Sequence, residues 1–176
     1  MKNKALKRIF EFLEEKENHK VPFIIKVKCE IPFTKEQLNV KHSLNLIYSK
    51  ITSLPEGLKV GGGLDLQHSS IESLPEDLKV GGDLYLNNSQ INSLPKGLKV
   101  GGNLNLEDIG ITSLPEGLEV PGFLNLRGCE KITSLPKGLK VGGVMFIEYT
   151  PLKKYTDDEL REMVKPGFIK GKIHRK

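Results

Sequence analysis

From Val40 onward the apolar residues return at a nearly fixed interval. The first ladder is Val40, Val60, Val80, Val100, Val120 and Val141. Two more follow: Leu44, Leu64, Leu84, Leu104, Leu124 and Met145, then Leu46, Leu66, Leu86, Leu106, Leu126 and Ile147. Ile51, Ile71, Ile91, Ile111, Ile132 and Leu152 form the next, then Leu54, Leu74, Leu94, Leu114, Leu135 and Tyr155. Leu58, Leu78, Leu98, Leu118 and Leu139 complete the unit. A period of about 20 residues marks an array of repeats. So short a unit cannot bury its own apolar face, so it must stack on its neighbours. The L-x-L pair alternates with period two, which predicts a short strand with both leucines on one face. Stacking then gives a parallel sheet with strands roughly 4.8 Å apart. The Gly-Gly before most strands predicts positive φ or a close backbone approach at the corner. The proline after Leu54 and its equivalents predicts an extended or single-turn 3₁₀ outer arc, with no room for a full helix.

Written out, the units read ITSLPEGLKVGGGLDLQHSS, IESLPEDLKVGGDLYLNNSQ, INSLPKGLKVGGNLNLEDIG, ITSLPEGLEVPGFLNLRGCEK and ITSLPKGLKVGGVMFIEYT, after a degenerate VKHSLNLIYSK. They resemble the shortest, bacterial type of leucine-rich repeat with its L-P signature; similar repeats occur in proteins of bacteria and their phages. The resemblance covers about residues 40–155. It implies an α/β solenoid of six coils, with six short parallel strands on a concave face and an extended or 3₁₀ convex side. These repeats are scaffolds for many partners, so the resemblance does not by itself give a function. The chain departs from the common pattern where an asparagine usually bonds neighbouring loops. Here that ladder is Ser49, Ser69, Ser89, Ile109, Cys129 and Thr150. Hydroxyls can do part of the work and Ile109 cannot, which predicts a break there. An extra residue at Glu130 or Lys131 predicts a bulge at the strand exit.

The ends differ from the repeats and divide the chain into an N-terminal cap (1–39), the repeats (40–155) and a C-terminal cap with a basic tail (156–176). Residues 4–16 place Leu6, Ile9, Phe10 and Leu13 on one helical face. Val21–Lys28 has the composition of a strand, with Pro22 confining it to an edge. Thr34 and Gln37 match a capping box that opens a short turn, and Thr156 with Glu159 match another. The second predicts a helix to about Lys165, stopped by Pro166 and Gly167. Helical caps would cover the apolar ends of the solenoid.

Charge and cysteine content narrow the function. The chain carries a formal net charge of +5. The balance divides by region: residues 39–150 carry ten Lys/Arg against twelve Asp/Glu, while both ends are net basic. No apolar run approaches the roughly 20 residues of a membrane span. Glutamates interrupt the apolar part of the N-terminus, so it does not read as a signal peptide. Cys29 and Cys129 stand in unlike contexts, which predicts reduced thiols and a cytoplasmic setting. No enzyme emerges. Cys129 and His68 lie about three coils, or roughly 14 Å, apart by strand spacing, and the four histidines share no metal-ligand spacing. The glycine pairs lack the Lys-Ser/Thr of a phosphate loop. Neither a cofactor nor a metal is expected.

The sheet positions that face away from the leucines carry the candidate chemistry. They include Asp65, Asp83, Tyr85, Glu107, Asp108, Phe123, Arg127, Phe146, Glu148 and Tyr149. Aromatic anchors in an acidic field predict a protein-binding face for a partner that is itself basic and apolar. The competing expectation is that the C-terminal segment folds over Phe123, Val144 and Phe146. A nucleic-acid-associated factor is the alternative function, with Lys170, Lys172, Arg175 and Lys176 contacting phosphates. A frayed, solvated terminus is the simpler reading of the same tail. The sequence thus points to a monomeric, non-catalytic recognition module, with inhibition of a host defence protein as a use suggested by the phage and bacterial resemblance.

Overall fold

A computed structural model of the chain describes Arg8 and residues 22–175. Its architecture is a parallel β-solenoid with about 20 residues per turn. Each turn contributes two strands of two residues. The L-x strands are β2 (Leu44–Asn45), β4 (Leu64–Asp65), β6 (Leu84–Tyr85), β8 (Leu104–Asn105), β10 (Leu124–Asn125) and β12 (Met145–Phe146). They stack in register, Leu44 on Leu64 and so on to Met145. The K-V dipeptides before the glycines form a second set, absent from the repeat reading. These are β1 (Asn39–Val40), β3 (Lys59–Val60), β5 (Lys79–Val80), β7 (Lys99–Val100), β9 (Glu119–Val120) and β11 (Lys140–Val141).

The second set is cut in two. β1, β3, β5 and β7 make a four-stranded sheet, while β9 and β11 belong to a separate three-stranded one. Within each part the residue after valine donates across the gap: Gly81 N–H to Val60 O at 2.7 Å, Gly101 N–H to Val80 O at 2.8 Å, Gly142 N–H to Val120 O at 2.9 Å. Pro121 occupies this position at the break and has no N–H. It also carries a Cβ where the coils have no room for one: a Cβ built on Gly81 or Gly101 would overlap the carbonyl oxygen of the preceding coil. Close approach, not positive φ, is therefore what the paired glycines supply; none of them has a left-handed backbone.

Inside the coil the leucine, isoleucine and valine ladders form one continuous core, with Leu64, Leu84, Leu104 and Leu124 fully buried. The outer arc turns once at each Pro-x-x-Leu, as in Leu78 N–H to Pro75 O at 3.2 Å. The polar loop ladder is local. Ser69 and Thr150 donate to the carbonyls of Leu66 and Ile147 within their own coil, at 2.6 and 2.7 Å. The Ser49 and Ser89 hydroxyls have no partner. Ile109 is buried and its side chain has no polar atom to offer, and the thiol of Cys129 reaches back 2.9 Å to the Leu106 carbonyl of the Ile109 coil. The extra residue forms a turn at Glu130 and Lys131.

The ends correct the sequence reading. Residues 4–16, expected as a helix, lie outside the described residues. Phe23–Cys29 is not a strand but a helix, α1. Its β-branched composition suggested a strand, yet Phe23, Ile24 and Val27 share a helical face and pack against the core. Lys26 is buried and donates to Pro32 O at 3.1 Å and Gln37 Oε1 at 2.9 Å. These bonds fix α1 to the loop that opens the first coil. Glu30, with φ 53, ends the helix. Thr34 and Gln37 form the expected reciprocal bonds.

After β12 a 3₁₀ turn (Pro151–Lys154) leads into α2 (Asp157–Met163), which starts with the expected Thr156–Glu159 capping box. The helix ends at Met163, short of Lys165. The tail is not frayed. β13 (Phe168–Ile169) pairs with β11, and β14 (Ile173–His174) pairs with β12, so the segment read as a basic tail continues both ladders. The L-x sheet thus has seven strands, ordered β14-β12-β10-β8-β6-β4-β2.

Candidate partner-binding face

The residues between the inward leucines line the seven-stranded sheet, and the coil geometry fixes each of them. An Asx turn recurs after the first leucine. Asp65 Oδ1 accepts from Gln67 N–H at 3.1 Å, Asn105 Oδ1 from Glu107 N–H at 3.1 Å and Asn125 Oδ1 from Arg127 N–H at 3.0 Å. Just before that leucine, Ser43, Asp83 and Asn103 each accept from the next coil: Gly63 N–H at 3.0 Å, Asn103 N–H at 2.7 Å and Phe123 N–H at 2.8 Å. The Asn103 bond holds the Asp83 carboxyl below its ordinary value, and the Tyr85 hydroxyl adds a second bond at 2.9 Å. Burial, then the Asp83 carboxylate, raises the Tyr85 phenol in turn.

Side chains also link the coils. Asn87 Nδ2 donates to Gln67 Oε1, Asn105 Nδ2 to Asn87 Oδ1 and Asn125 Nδ2 to Glu107 Oε2, at 3.1, 3.3 and 3.0 Å. This network buries Asn87 and Asn125, although strand alternation turns both away from the core leucines. Arg127 lies between two acids, 2.9 Å from Glu148 and 3.7 Å from Glu107. The Glu148 bond is the main reason its guanidinium is held above the usual value. Glu148 is only 5% exposed, so this expected surface acid is internal to the network.

The aromatics separate into two places. Phe123 meets Phe146 edge to face at 6.0 Å, and His174 stacks on Phe146 at 5.1 Å. Arg127 sits 5.6 Å from the Phe146 ring centre. The C-terminal segment therefore lies beside Phe146 as the next strand; the expectation that it folds across Phe123, Val144 and Phe146 is not met, and all three stay half-exposed. Tyr149 stands apart at the strand exit. That exit is left-handed in every coil: Tyr48, His68, Asn88, Asp108 and Tyr149 have φ of 53 to 58, and Gly128 has φ 71. Asn, Asp and Gly suit this backbone; a tyrosine there is a genuine outlier. Tyr48 and Tyr149 are nonetheless 71% and 72% exposed, and Tyr48 stacks on His68 at 5.0 Å.

Sequence reasoning missed His174 and assigned Lys172 only to the alternative phosphate site; the two register with Val144 and Phe146 and bring basic residues to the C-terminal end of the face. The signal was present in F-I-K-G-K-I-H, a worn copy of K-V-G-G-V-M-F, displaced by α2 and its flanking turns. The face is thus graded, with Asp65, Asp83, Glu107 and Asp108 preceding an aromatic and basic end. The alternative phosphate site is dispersed. Arg175 donates to Tyr155 O and pairs with Asp157, Lys170 lies 5.0 Å from the Phe168 ring, and Lys176 is outside the described residues. Cys129 is buried, which pushes its thiol up to about 11. No helix among the described residues is long and apolar enough to cross a membrane. Neither a scan of protein-family models nor a search of curated proteins finds a match to this chain.

Proposed function

We propose that this chain is a non-catalytic recognition module that binds a protein partner through its seven-stranded face. The observation that carries the reading is the half-exposed Phe123–Phe146–His174 cluster. The coil does not need those rings. At the Phe123 position other coils use Ser43, Asp83 and Asn103, and at the Phe146 position Asn45, Asp65, Asn105 and Asn125, with the same strand geometry. Rings kept where polar residues suffice favour contact with something else. The partner sets an apolar group over the rings and basic side chains toward Asp65, Asp83, Glu107 and Asp108. The exposed tyrosines in left-handed backbone support the same face, since such outliers cluster where side chains are used.

The finer assignment is a short, bacterial-type leucine-rich repeat whose L-x strands line a concave surface and whose ends are capped by helices. By analogy with such repeats in phages and bacteria, we place the partner in a bacterial cytoplasm and the use in inhibiting a host defence protein. Both cysteines are free, which suits a reducing compartment. Burial of Cys129, which raises its thiol, supports a binding role over a nucleophilic one. The nucleic-acid reading is weaker, because Arg175 is already committed to Tyr155 and Asp157. The test is affinity capture from a bacterial host with wild type beside a folded Phe146→Ala/Tyr149→Ala variant. A protein retained by the first and lost by the second supports the reading. Equal capture by both sinks it.

A further inference from the structure

The row of residues just before the inward leucines has one gap. It reads Ser43, Gly63, Asp83, Asn103, Phe123 and Val144, and Gly63 is the position without a side chain. The backbone there does not demand glycine. Gly63 is not left-handed. A Cβ built on it would come no nearer than 3.3 Å, to the Asp83 carbonyl oxygen, whereas on Gly61 or Gly81 it would overlap the carbonyl of the preceding coil. The glycine also has a cost. Ser43, Asp83 and Asn103 each accept a backbone N–H from the next coil, and Gly63 forgoes that bond. Glycine loses more conformational freedom on folding than any other residue. A residue that weakens the coil and answers no backbone need points to the space it leaves.

That space is an open cleft of about 420 Å³, whose polar lining is Ser43, Asn45, Asp65, Asp83 and Tyr85; no basic residue lines it. Sites for small organic groups span roughly 300–1,000 Å³. Gln67 N–H and Nε2 hold Asp65 at 3.1 and 3.0 Å, while Asn103 N–H and the Tyr85 hydroxyl hold Asp83 at 2.7 and 2.9 Å. All four donors are neutral. The carboxylates are therefore fixed in place with their charge unbalanced in the cleft, and each oxygen keeps acceptor capacity. Burial, then Asp83, then Asp65 raise the Tyr85 phenol, so it keeps its proton and presents a neutral ring. Among the described residues no group of three His, Cys, Asp or Glu could hold a metal ion, which favours an organic cation here. A planar guanidinium, with its fork of donors and its affinity for aromatic faces, suits two fixed carboxylates beside a ring better than an ammonium does.

We propose that the Gly63 cleft is a subsite for a guanidinium group, taken by Asp65 and Asp83 against Tyr85 and supplied by an arginine side chain of the protein partner. Gly63 keeps the cleft open at the expense of one ladder bond. The source of the arginine rests on the partner-binding reading; the chemistry of the cleft does not.

The experiment is an amide NMR titration of the full chain with acetyl-Gly-Arg-Gly-amide, its citrulline counterpart and its lysine counterpart. The arginine peptide should shift the amides of Gly63, Asp65, Asp83 and Tyr85 saturably. The uncharged citrulline peptide should leave them in place, and the lysine peptide should bind several-fold more weakly. Gly63→Asn introduces the residue that the row already uses at Asn103. It should unfold at higher denaturant than wild type, through a regained acceptor and a less flexible unfolded chain, and should lose the arginine response. Asp83→Asn keeps an acceptor for Asn103 N–H and should weaken arginine binding several-fold. Several results overturn the proposal: arginine binding unchanged in Gly63→Asn or Asp83→Asn, a citrulline or lysine peptide that binds as tightly, or shifts spread over the other acidic positions. A Gly63→Asn chain that is destabilised or unfolded also overturns it, because the backbone would then require the glycine. Partner capture that fails while the arginine peptide still binds sinks the partner reading alone; capture that succeeds without arginine binding sinks the cleft alone.

Discussion

Leu86 has no exposed surface and lies between Leu66 and Leu106 in the middle of the array. Its neighbours are ladder residues held by their own coils, so they cannot collapse far into a void. Leu86→Ala should cost roughly 2–5 kcal/mol in denaturant unfolding. A loss below about 1 kcal/mol would mean that the residue does not face the core. Asp83 offers a residue-scale test of a polar ladder. Its carboxyl is held low chiefly by the Asn103 N–H, so its folded value lies below the unfolded one of about 3.9. For a depressed carboxylate the added stability is present above the unfolded value and is lost as pH falls through the folded one. The stability gap between wild type and Asp83→Ala should therefore be widest near neutrality and close on acidification. A gap that does not change with pH would place the cost of the substitution elsewhere than in the carboxylate.

At the scale of elements, a two-residue strand is held by very few bonds, so one residue can end a sheet. Pro121 does so between β7 and β9, and a second proline should do so again. Gly101→Pro removes the bond to Val80 O and forces a Cβ onto the Gly81 carbonyl. The lost bond alone should cost about 1–3 kcal/mol if Val80 O is left without a donor. Amide exchange should also quicken on both sides of the new break, and unchanged protection there would contradict this account of the Pro121 gap. The break could have been read from the sequence, because one Val-Pro-Gly stands among the Val-Gly-Gly corners. The K-V strands could not be read so easily: lysine outside and valine inside over two residues is too short to show a period. α1 was hidden for the opposite reason, since Ile24, Ile25 and Val27 favour a strand by composition while the residues that reach the core, Phe23, Ile24 and Val27, are spaced as on a helix. On the candidate face, strand alternation turns Phe123 and Phe146 outward, where both are half-exposed, while Tyr149 lies apart at the strand exit. Alternation could not show that Asn87, Asn125 and Glu148 would be buried, because those contacts depend on side chains of the adjacent coil.

For the whole molecule, stacking makes a graded surface from a repeated unit. The inward positions are nearly invariant because the core must continue. The outward ones vary freely because each coil asks little of them, so a cluster there reports on use. If the proposed partner docks here, its two halves should respond differently to mutation. Phe146→Ala removes the ring that touches Phe123, His174 and Arg127. It should weaken binding by about 2 kcal/mol or more, mostly through faster dissociation. Reversing Glu107 and Asp108 to Lys should instead slow association and flatten its dependence on salt, since exposed charges steer encounter. Asp108 is exposed at the strand exit, whereas Glu107 also holds Asn125 and faces Arg127. Asp108→Asn is therefore the cleaner charge probe, since asparagine also suits the left-handed backbone there. Binding rates for these variants, each first shown to unfold like wild type, decide the matter: unchanged rates in all of them would remove the seven-stranded face as the docking site.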